Sequence, residues 1–280
     1  MGVDVIGPAT ESDQTRASTR SPRGSVPDWA LPWIGIAVVL TTFELASRTG
    51  VVSTRNFPPV SEMFASLAEL GVTAEFWGMV WLTLQGWGLG LGIAAIISIP
   101  LGIVLGTSRP LYRAMRGVIE FLRPIPSVAL IPLAVLIYGA GLDSKVFLAV
   151  FAATWPLLLQ TIYGVQDVDP VATDTARSFG FSWPQRLIRV TLPSAVPYIA
   201  TGIRISSSVA LILVVTAEIV IGAPGLGREV NLARQGGAFD LMYALIIATG
   251  LLGWALNVLF ISAERRVLHW HASQREEPAA

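Results

Sequence analysis

The chain of 280 residues contains no cysteine, two histidines and, among its 19 basic residues, a single lysine, Lys145. The lack of cysteine excludes a disulfide framework and thiolate metal sites. An intramembrane protease or metal enzyme needs histidine, cysteine or paired carboxylates at membrane depth, but His269 and His271 both lie in the polar C-terminal tail. We therefore expect no catalytic residue, no metal site and no bound cofactor in this chain.

Charged residues are also scarce. They make up 14% of the chain, whereas a typical soluble domain has about 25%. Hydrophobic residues make up 53%, and this combination indicates an integral membrane protein embedded in a lipid bilayer. The formal net charge is zero and the basic residues do not cluster, so we expect no nucleic-acid partner.

About six apolar segments are long enough to cross a membrane as helices, which takes about 20 residues. They lie near residues 29–47, 77–105, 116–138, 146–166, 195–221 and 241–263. The first begins late and is not followed by a small-x-small cleavage site, so we expect a retained span rather than a signal peptide. The sequence predicts an all-α, polytopic membrane protein, with a disordered polar tail over residues 1–28.

The basic residues outside these segments are distributed unequally, and positive charge stays on the cytoplasmic side of a membrane protein. Twelve lie on the side that carries both termini, whereas five lie on the other side: Arg48, Arg55, Lys145, Arg228 and Arg234. We therefore expect both termini, including a tail over residues 265–280, to be cytoplasmic.

Residues 29–74 are expected to hold the first span and an external loop. In that loop, apolar residues recur at helical spacing and predict a short amphipathic helix lying on the membrane surface. These residues are Val60, Met63, Phe64, Leu67 and Leu70.

Four glycines at every second position of the second span, Gly86, Gly88, Gly90 and Gly92, form overlapping small-xxx-small steps. Such steps permit close contact between membrane helices. We expect them to serve packing rather than ligand binding.

A polar, arginine-bearing segment from Asp174 to Pro193 separates two apolar runs and must lie outside the lipid, on the cytoplasmic side. A turn at Asp169 and Pro170 predicts a short helix over Val171–Phe179, which Gly180 ends. A second helix is predicted over residues 181–191. Small residues in the first helix would let it pack closely against a partner. The alternative is an interhelical loop that merely happens to fold.

Seven residues of this region resemble the EAA loop of binding-protein-dependent ABC importer permeases, whose pattern is E-A-A-x3-G-x9-I-x-L-P. They are Asp174, Thr175, Ala176, Gly180, Val190, Leu192 and Pro193. Asp replaces Glu, Thr replaces the first Ala and Val replaces Ile, whereas the Gly and Leu-Pro positions match at full spacing. The resemblance implies a coupling helix over residues 171–182, including Arg177, that docks into a cytoplasmic ATPase subunit.

Three further stretches are similar to permeases of the aliphatic sulfonate, taurine and nitrate importer group. They are RPIPSVALIPL at residues 123–133, YGAGLDSK at residues 138–145 and AEIVIGAPGLG at residues 217–227. The resemblance covers about residues 57–270 and implies a type I ABC importer transmembrane fold with its core over residues 75–264.

The same resemblance implies partners and a solute class. The implied assembly is a homodimer with two copies of an ATPase and an extracytoplasmic substrate-binding protein. The resemblance places most selectivity on the binding protein, so these residues do not identify the solute. We expect a small organic or inorganic anion, with sulfonate or taurine as the first candidates and nitrate or an aromatic acid as the next.

The chain lacks the phosphate-cradling loop GxxxxGK[ST], so any ATP that drives it must be bound by another chain. The alternative is a secondary transporter driven by an ion gradient, which predicts inverted repeats and unwound or charged helices at mid-membrane. No convincing internal repeat is found. A structural or receptor membrane protein, as a third class, would not require the EAA-like spacing.

Polar groups inside the spans are the candidates for a translocation path, because ionisable side chains are costly in lipid and rarely face it. Arg204 and Glu218 share one helix face but lie about 21 Å apart, too far to pair. Pro124 and Pro126 interrupt the third span, as a gate or as a simple kink. The alternative for the charged residues is ion pairing between helices or subunits. The predicted path residues are Glu120, Arg123, Pro124, Pro126, Gln160, Arg204 and Glu218.

Overall fold

The computed structural model describes residues 27, 29–54 and 56–267, and every regular element within them is helical, which confirms the predicted all-α class. Apart from Pro27, the tail predicted over residues 1–28 lies outside the described residues, as does most of the tail predicted over residues 265–280. The α-helices are α1 (Leu31–Arg48), α2 (Val60–Gly71), α3 (Ala74–Thr107), α4 (Arg109–Leu122), α5 (Ile131–Tyr138), α6 (Leu142–Gln166), α7 (Pro170–Ser178), α8 (Trp183–Arg186), α9 (Leu192–Ile221), α10 (Leu226–Gly236) and α11 (Phe239–Val267).

Among the described residues, five helical stretches are long and apolar enough to cross a membrane: α1, α3, α6, α11 and the continuous run Trp183–Ile221. A sixth candidate span is broken. It consists of α4 and the helical residues Ser127–Tyr138, which meet at an angle of 78°. Pro124 and Pro126 occupy the break, and a proline cannot donate the backbone hydrogen bond that a continuous helix needs. The interruption expected at these prolines is therefore observed.

The centre of the fold is the packing of α6 against α3 on one side and α9 on the other. Glycines on α3 and α9 make this packing close. A Cβ placed on Gly90 would lie 2.5 Å from the Ala149 Cβ, and one on Gly202 would lie 2.9 Å from the Gln160 Cβ. Helix backbones at these crossings can approach only because the glycines carry no side chain.

The glycine stripe on α3 is used on one side only. Gly86 and Gly90 lie against α6, whereas a Cβ on Gly88 or Gly92 would meet no atom within 4 Å. The stripe therefore provides one packing face, and its other two members face away from the rest of the described chain.

A helix, α2, is observed where the amphipathic helix was predicted, and part of its apolar face packs against protein. Leu67 and Leu70 pack on a cluster formed by α3, α10 and α11, which includes Phe76, Leu226 and Leu245. Helical spacing identified the helix, whereas the surface that covers its apolar face depends on tertiary structure.

The helix predicted over residues 181–191 is not a separate element. It begins as α8, where the Gln185 side chain accepts a hydrogen bond of 2.8 Å from the Ser182 backbone N–H in a capping box. A π-helical turn over Leu187–Thr191 then joins it to α9 without interruption. The extra residue of a π turn lets the chain pass Pro193, which has no N–H to donate.

We predict that Gly90→Ala destabilises the fold by about 1–3 kcal/mol, because the added methyl group would overlap Ala149 in a closely packed helix crossing. The measurement is the thermal unfolding midpoint of the purified chain in detergent. Gly88→Ala, two residues away with open space around it, is the matched control and should leave the midpoint unchanged or raise it. Equal effects of the two substitutions would contradict the packing described here.

Candidate functional site

The segment with the EAA-like spacing forms a short helix with defined ends. At the start of α7, the Asp169 side chain accepts a hydrogen bond of 2.8 Å from the Val171 backbone N–H. At its end, Gly180 has φ +74°, and the Phe181 N–H donates to the Ala176 carbonyl at 3.0 Å. Together with a bond of 2.9 Å from the Gly180 N–H to the Arg177 carbonyl, this bond forms a Schellman motif, so the predicted stop at Gly180 is observed.

Most of the α7 surface is exposed. The Asp174 carboxylate accepts a hydrogen bond of 2.9 Å from Arg177, and both side chains remain largely in solvent. Thr175 is exposed as well, whereas Ala176 is buried within the subunit. Ala176 therefore contributes to internal packing, and its neighbours form the free surface.

Large apolar side chains at both ends of α7 are also exposed, and the sequence analysis did not single them out. Val171 is 71% exposed and Phe179 is 78% exposed, with Trp183 nearby at 58%. Val171 and Phe179 lie outside the candidate spans, and exposed apolar side chains on an otherwise polar helix favour a surface that a partner covers. Apolar residues on an otherwise polar helix are the sequence signal that would have indicated it.

Leu192 and Pro193 lie at the first turn of α9. Because α8, the π turn and α9 form one continuous run, these residues lie on the helical connection between α8 and the span.

A cavity of about 800 Å³ opens beside α7 between the ends of α3, α4, α6 and α8. Five arginines line it: Arg109, Arg113, Arg116, Arg177 and Arg186. No carboxylate is among the lining residues. Arg116 pairs with Glu120 at 2.7 Å, but Arg109 and Arg113 have no acidic partner in the described part of the chain. The cavity is therefore a strongly positive surface.

Lys145, counted in the sequence analysis as a charge of the outer loops, is in fact buried. It lies in the first turn of α6 with 2% of its side chain exposed, and its Nζ lies 2.8 Å from Glu218 Oε1. Its remaining protons are donated to the backbone carbonyls of Leu82 and Pro224, each at 2.8 Å. The number of basic residues counted for the predicted outer side therefore falls by one. The other side still has more basic residues, so the predicted orientation does not change.

Glu218, predicted to line the path, lies in the interior of the subunit with 0% of its side chain exposed. Besides Lys145, its carboxylate accepts hydrogen bonds from Thr83 Oγ1 at 3.0 Å and from the Gly227 N–H at 3.0 Å. Thr83 in turn accepts a bond of 2.9 Å from the Leu226 N–H. This geometry favours the alternative interpretation for Glu218, an ion pair that holds helices together.

Glycines make room for this buried ion pair. A Cβ on Gly225 would lie 2.0 Å from Glu218 Oε1, and the backbone there has φ +151°. A Cβ on Gly227 would lie 2.4 Å from the Val215 carbonyl oxygen. The glycines of the AEIVIGAPGLG stretch thus allow the α9–α10 loop to close over the carboxylate.

Arg204 and Glu218 do not pair with each other. Arg204 on α9 lies 3.5 Å from Glu264 on α11. Glu120 pairs with Arg116 on the exposed surface of α4. In the described structure, these three predicted path residues are thus engaged in ion pairs.

Two other predicted path residues come together in a cavity of about 380 Å³. Arg123, directly before the proline break, and Gln160 on α6 both line it. Ser127, Trp155 and Tyr163 line it as well and were not identified from the sequence, because a serine or an aromatic residue in an apolar run carries no distinctive signal. Within residues 27, 29–54 and 56–267, no group of His, Asp or Glu side chains is arranged to hold a metal ion.

Comparison with known proteins gives consistent results. Residues 98–268 match the family described as "Binding-protein-dependent transport system inner membrane component". The taurine transport system permease protein TauC of Escherichia coli (strain K12) is 31% identical over 241 residues, which cover 84% of this chain and 88% of that protein. The putative aliphatic sulfonates transport permease protein SsuC of Bacillus subtilis (strain 168) is 29% identical over 85% of this chain and 86% of its own length.

Among solved structures, the inward-facing MetNI methionine ABC transporter has a similar fold. The TM-score is 0.60 at 20% identity, over 69% of this chain and 95% of the matched chain. This likeness concerns the fold alone.

We predict that Lys145→Met destabilises the fold by about 3–5 kcal/mol, because it leaves the Glu218 carboxylate buried without a countercharge. The double variant Lys145→Met/Glu218→Gln should be more stable than Lys145→Met alone, since it removes the isolated charge. Thermal unfolding in detergent of the wild type, the single variants Lys145→Met and Glu218→Gln, and the double variant forms a double-mutant cycle. Arg116→Met, which breaks an exposed pair, should have a much smaller effect. Additive effects in the cycle would show that the two side chains do not interact.

Proposed function

This chain belongs to the family of binding-protein-dependent transport system inner membrane components, and we propose that its α7 helix couples it to a separate ABC ATPase. The chain is a permease subunit of an ABC importer. The relatives named above are described as transport permease proteins of this family, which favours this assignment over the secondary-transporter alternative.

The observation that carries the proposal is that the exposed helix α7 contacts a helical run that continues into a span. The helix α7 has fixed ends, and its exposed face carries charged and apolar side chains. It packs against α8 and the π turn, which continue into α9 as one helical run of 39 residues, Trp183–Ile221. ATP-driven closure of the ATPases would move α7 and thereby tilt α9 within the subunit.

Charge supports an acidic docking partner. The positive charges of Arg109 and Arg113 are not neutralised within the described chain. Arg177 lines the same cavity. An ATPase surface that carries carboxylates beside its docking cleft would complement these guanidinium groups. The association should then weaken as the salt concentration rises.

The proposed assembly is a homodimer with two ATPase copies and an extracytoplasmic binding protein, with ATP hydrolysed on the ATPase chains. A groove of about 400 Å³ between α9 and α11 supports dimer formation, because its lining includes small residues such as Ser208, Gly250 and Gly253. A second copy could pack closely there.

The excess of basic residues at the α3–α4 and α7–α8 ends supports a cytoplasmic position for these ends and for both termini. The solute is proposed to be a small anion, because relatives are described as permeases for taurine, aliphatic sulfonates and nitrate. Transport is directed by the solute's different affinities for the inward-open and outward-open states, which the ATPase state controls.

We predict that Gly180→Val reduces both ATPase co-purification and ATP-dependent uptake in proteoliposomes. The backbone at residue 180 has φ +74°, which costs a residue with a Cβ about 1–2 kcal/mol and distorts the end of α7. Gly180→Asn is the matched control, because asparagine tolerates this conformation and a Cβ here meets no atom within 4 Å.

ATPase co-purification and uptake should be highest for the wild type, slightly lower for Gly180→Asn and lowest for Gly180→Val. Normal ATPase association and uptake with Gly180→Val would refute the docking role of α7. Arg177→Glu, a charge reversal on the exposed face, should also weaken ATPase association and should do so most at low salt.

A further inference from the structure

We propose that the cavity between the proline break, α6 and α9 is a binding site for the oxyanion group of the solute as it crosses the membrane. The cavity is the one lined by Arg123, Ser127, Trp155, Gln160 and Tyr163. This inference rests on the proposed function only in identifying the bound anion with the transported solute.

Arg123 supplies the positive charge. Of the four charged residues predicted for the path, Glu120, Arg204 and Glu218 each have an ion-pair partner. Arg123 has no side-chain hydrogen bond or ion pair to any described residue, and it lies at the junction of the two halves of a span. An ionisable side chain in a span normally pairs or faces a polar pathway. The guanidinium therefore has its binding capacity free for a ligand.

Trp155 provides a second, independent observation. Its indole Nε1 is the one buried side-chain nitrogen or oxygen without a hydrogen-bond partner among the described residues. Buried N–H groups are almost always satisfied, and an exception points to a partner that is absent from the structure. Trp155 also lines this cavity, and a small shift of the ring would bring this buried N–H to an acceptor bound there.

The remaining polar groups fit the same ligand chemistry. The Gln160 amide and the Ser127 and Tyr163 hydroxyls all donate hydrogen bonds, and no carboxylate lines the cavity. A guanidinium binds the paired oxygens of a sulfonate or carboxylate through two parallel hydrogen bonds.

The other lining residues are apolar and suit a short alkyl chain. They are Ala152, Pro156, Leu159, Ile205 and Val209. The volume of about 380 Å³ lies at the small end of ligand cavities, which usually measure about 300–1,000 Å³. A small organic anion fits this combination of charge, donors and size.

The larger arginine-lined cavity fits this role less well. It opens beside α7, where an ATPase would cover it, and its wall contains several arginines rather than one. A solute held by many guanidinium groups would be released slowly. The smaller cavity instead lies between α6, α9 and the break where the chain turns by 78°.

The test is equilibrium binding to the full chain, purified in nanodiscs without any ATPase. The probes are taurine, methanesulfonate and nitrate, with choline as a cation control, and affinity is measured by calorimetry. We expect at least one anion to bind and choline not to bind. Arg123→Gln should weaken anion binding by about tenfold or more, because a charge-assisted hydrogen bond is lost. Trp155→Phe, which keeps the ring but removes the N–H, should weaken it by about threefold to tenfold.

Arg228→Gln, on α10 and outside both cavities, is the matched control and should bind like the wild type. Arg123→Lys retains the charge and should keep part of the affinity. If Arg123→Gln does not yield folded protein, Trp155→Phe and Gln160→Leu provide the test. Unchanged anion affinity in the folded cavity variants, or failure of the wild type to bind any of the anions, would overturn the proposal.

ATPase co-purification, measured in parallel, separates the two proposals. Intact ATPase association without anion binding would reject this site and leave the coupling role standing. Anion binding without ATPase association would reject the coupling role and leave the site standing.

Discussion

The buried contact between Lys145 and Glu218 is the interaction on which the packing of α3, α6, α9 and α10 depends. Two charges inside a membrane protein are stable only when they are paired and fully hydrogen-bonded. Here the lysine reaches α3 through the Leu82 carbonyl and the α9–α10 loop through the Pro224 carbonyl. The carboxylate binds Thr83 and the start of α10. One ion pair thus fixes the relative positions of α3, α6, α9 and α10, and the glycines around it are needed because no side chain fits beside it.

The helix α9 connects three of the regions described above. The π turn that precedes it contacts α7, Ile205 and Val209 in its middle line the cavity of Arg123, and Glu218 lies near its C-terminal end. The Lys145–Glu218 pair holds that end against α3, α6 and α10, whereas α7 at the other end has a largely exposed surface.

Features governed by local backbone chemistry were predictable from the sequence. Gly180 ends α7 because glycine favours a positive φ, and Pro124 and Pro126 break a span because they lack a backbone donor. Features that depend on contacts between distant residues were not. Lys145 near the start of a helix was assigned to a loop, because its partner lies 73 residues away. Helical spacing predicted α2 but not the protein surface on which Leu67 and Leu70 pack, and the unsatisfied N–H of Trp155 is visible only in three dimensions.

The π turn at Leu187–Thr191 also affects how the region around α8 is compared with other sequences. One additional residue in a turn shifts the angular phase of everything before it by about 100° relative to a regular α-helix. A helical wheel that keeps regular α-helical spacing through Thr191 therefore places Trp183 and Arg186 on the wrong faces of the helical run. Covariation or mutational data for this segment should be plotted with a separate origin on either side of the turn.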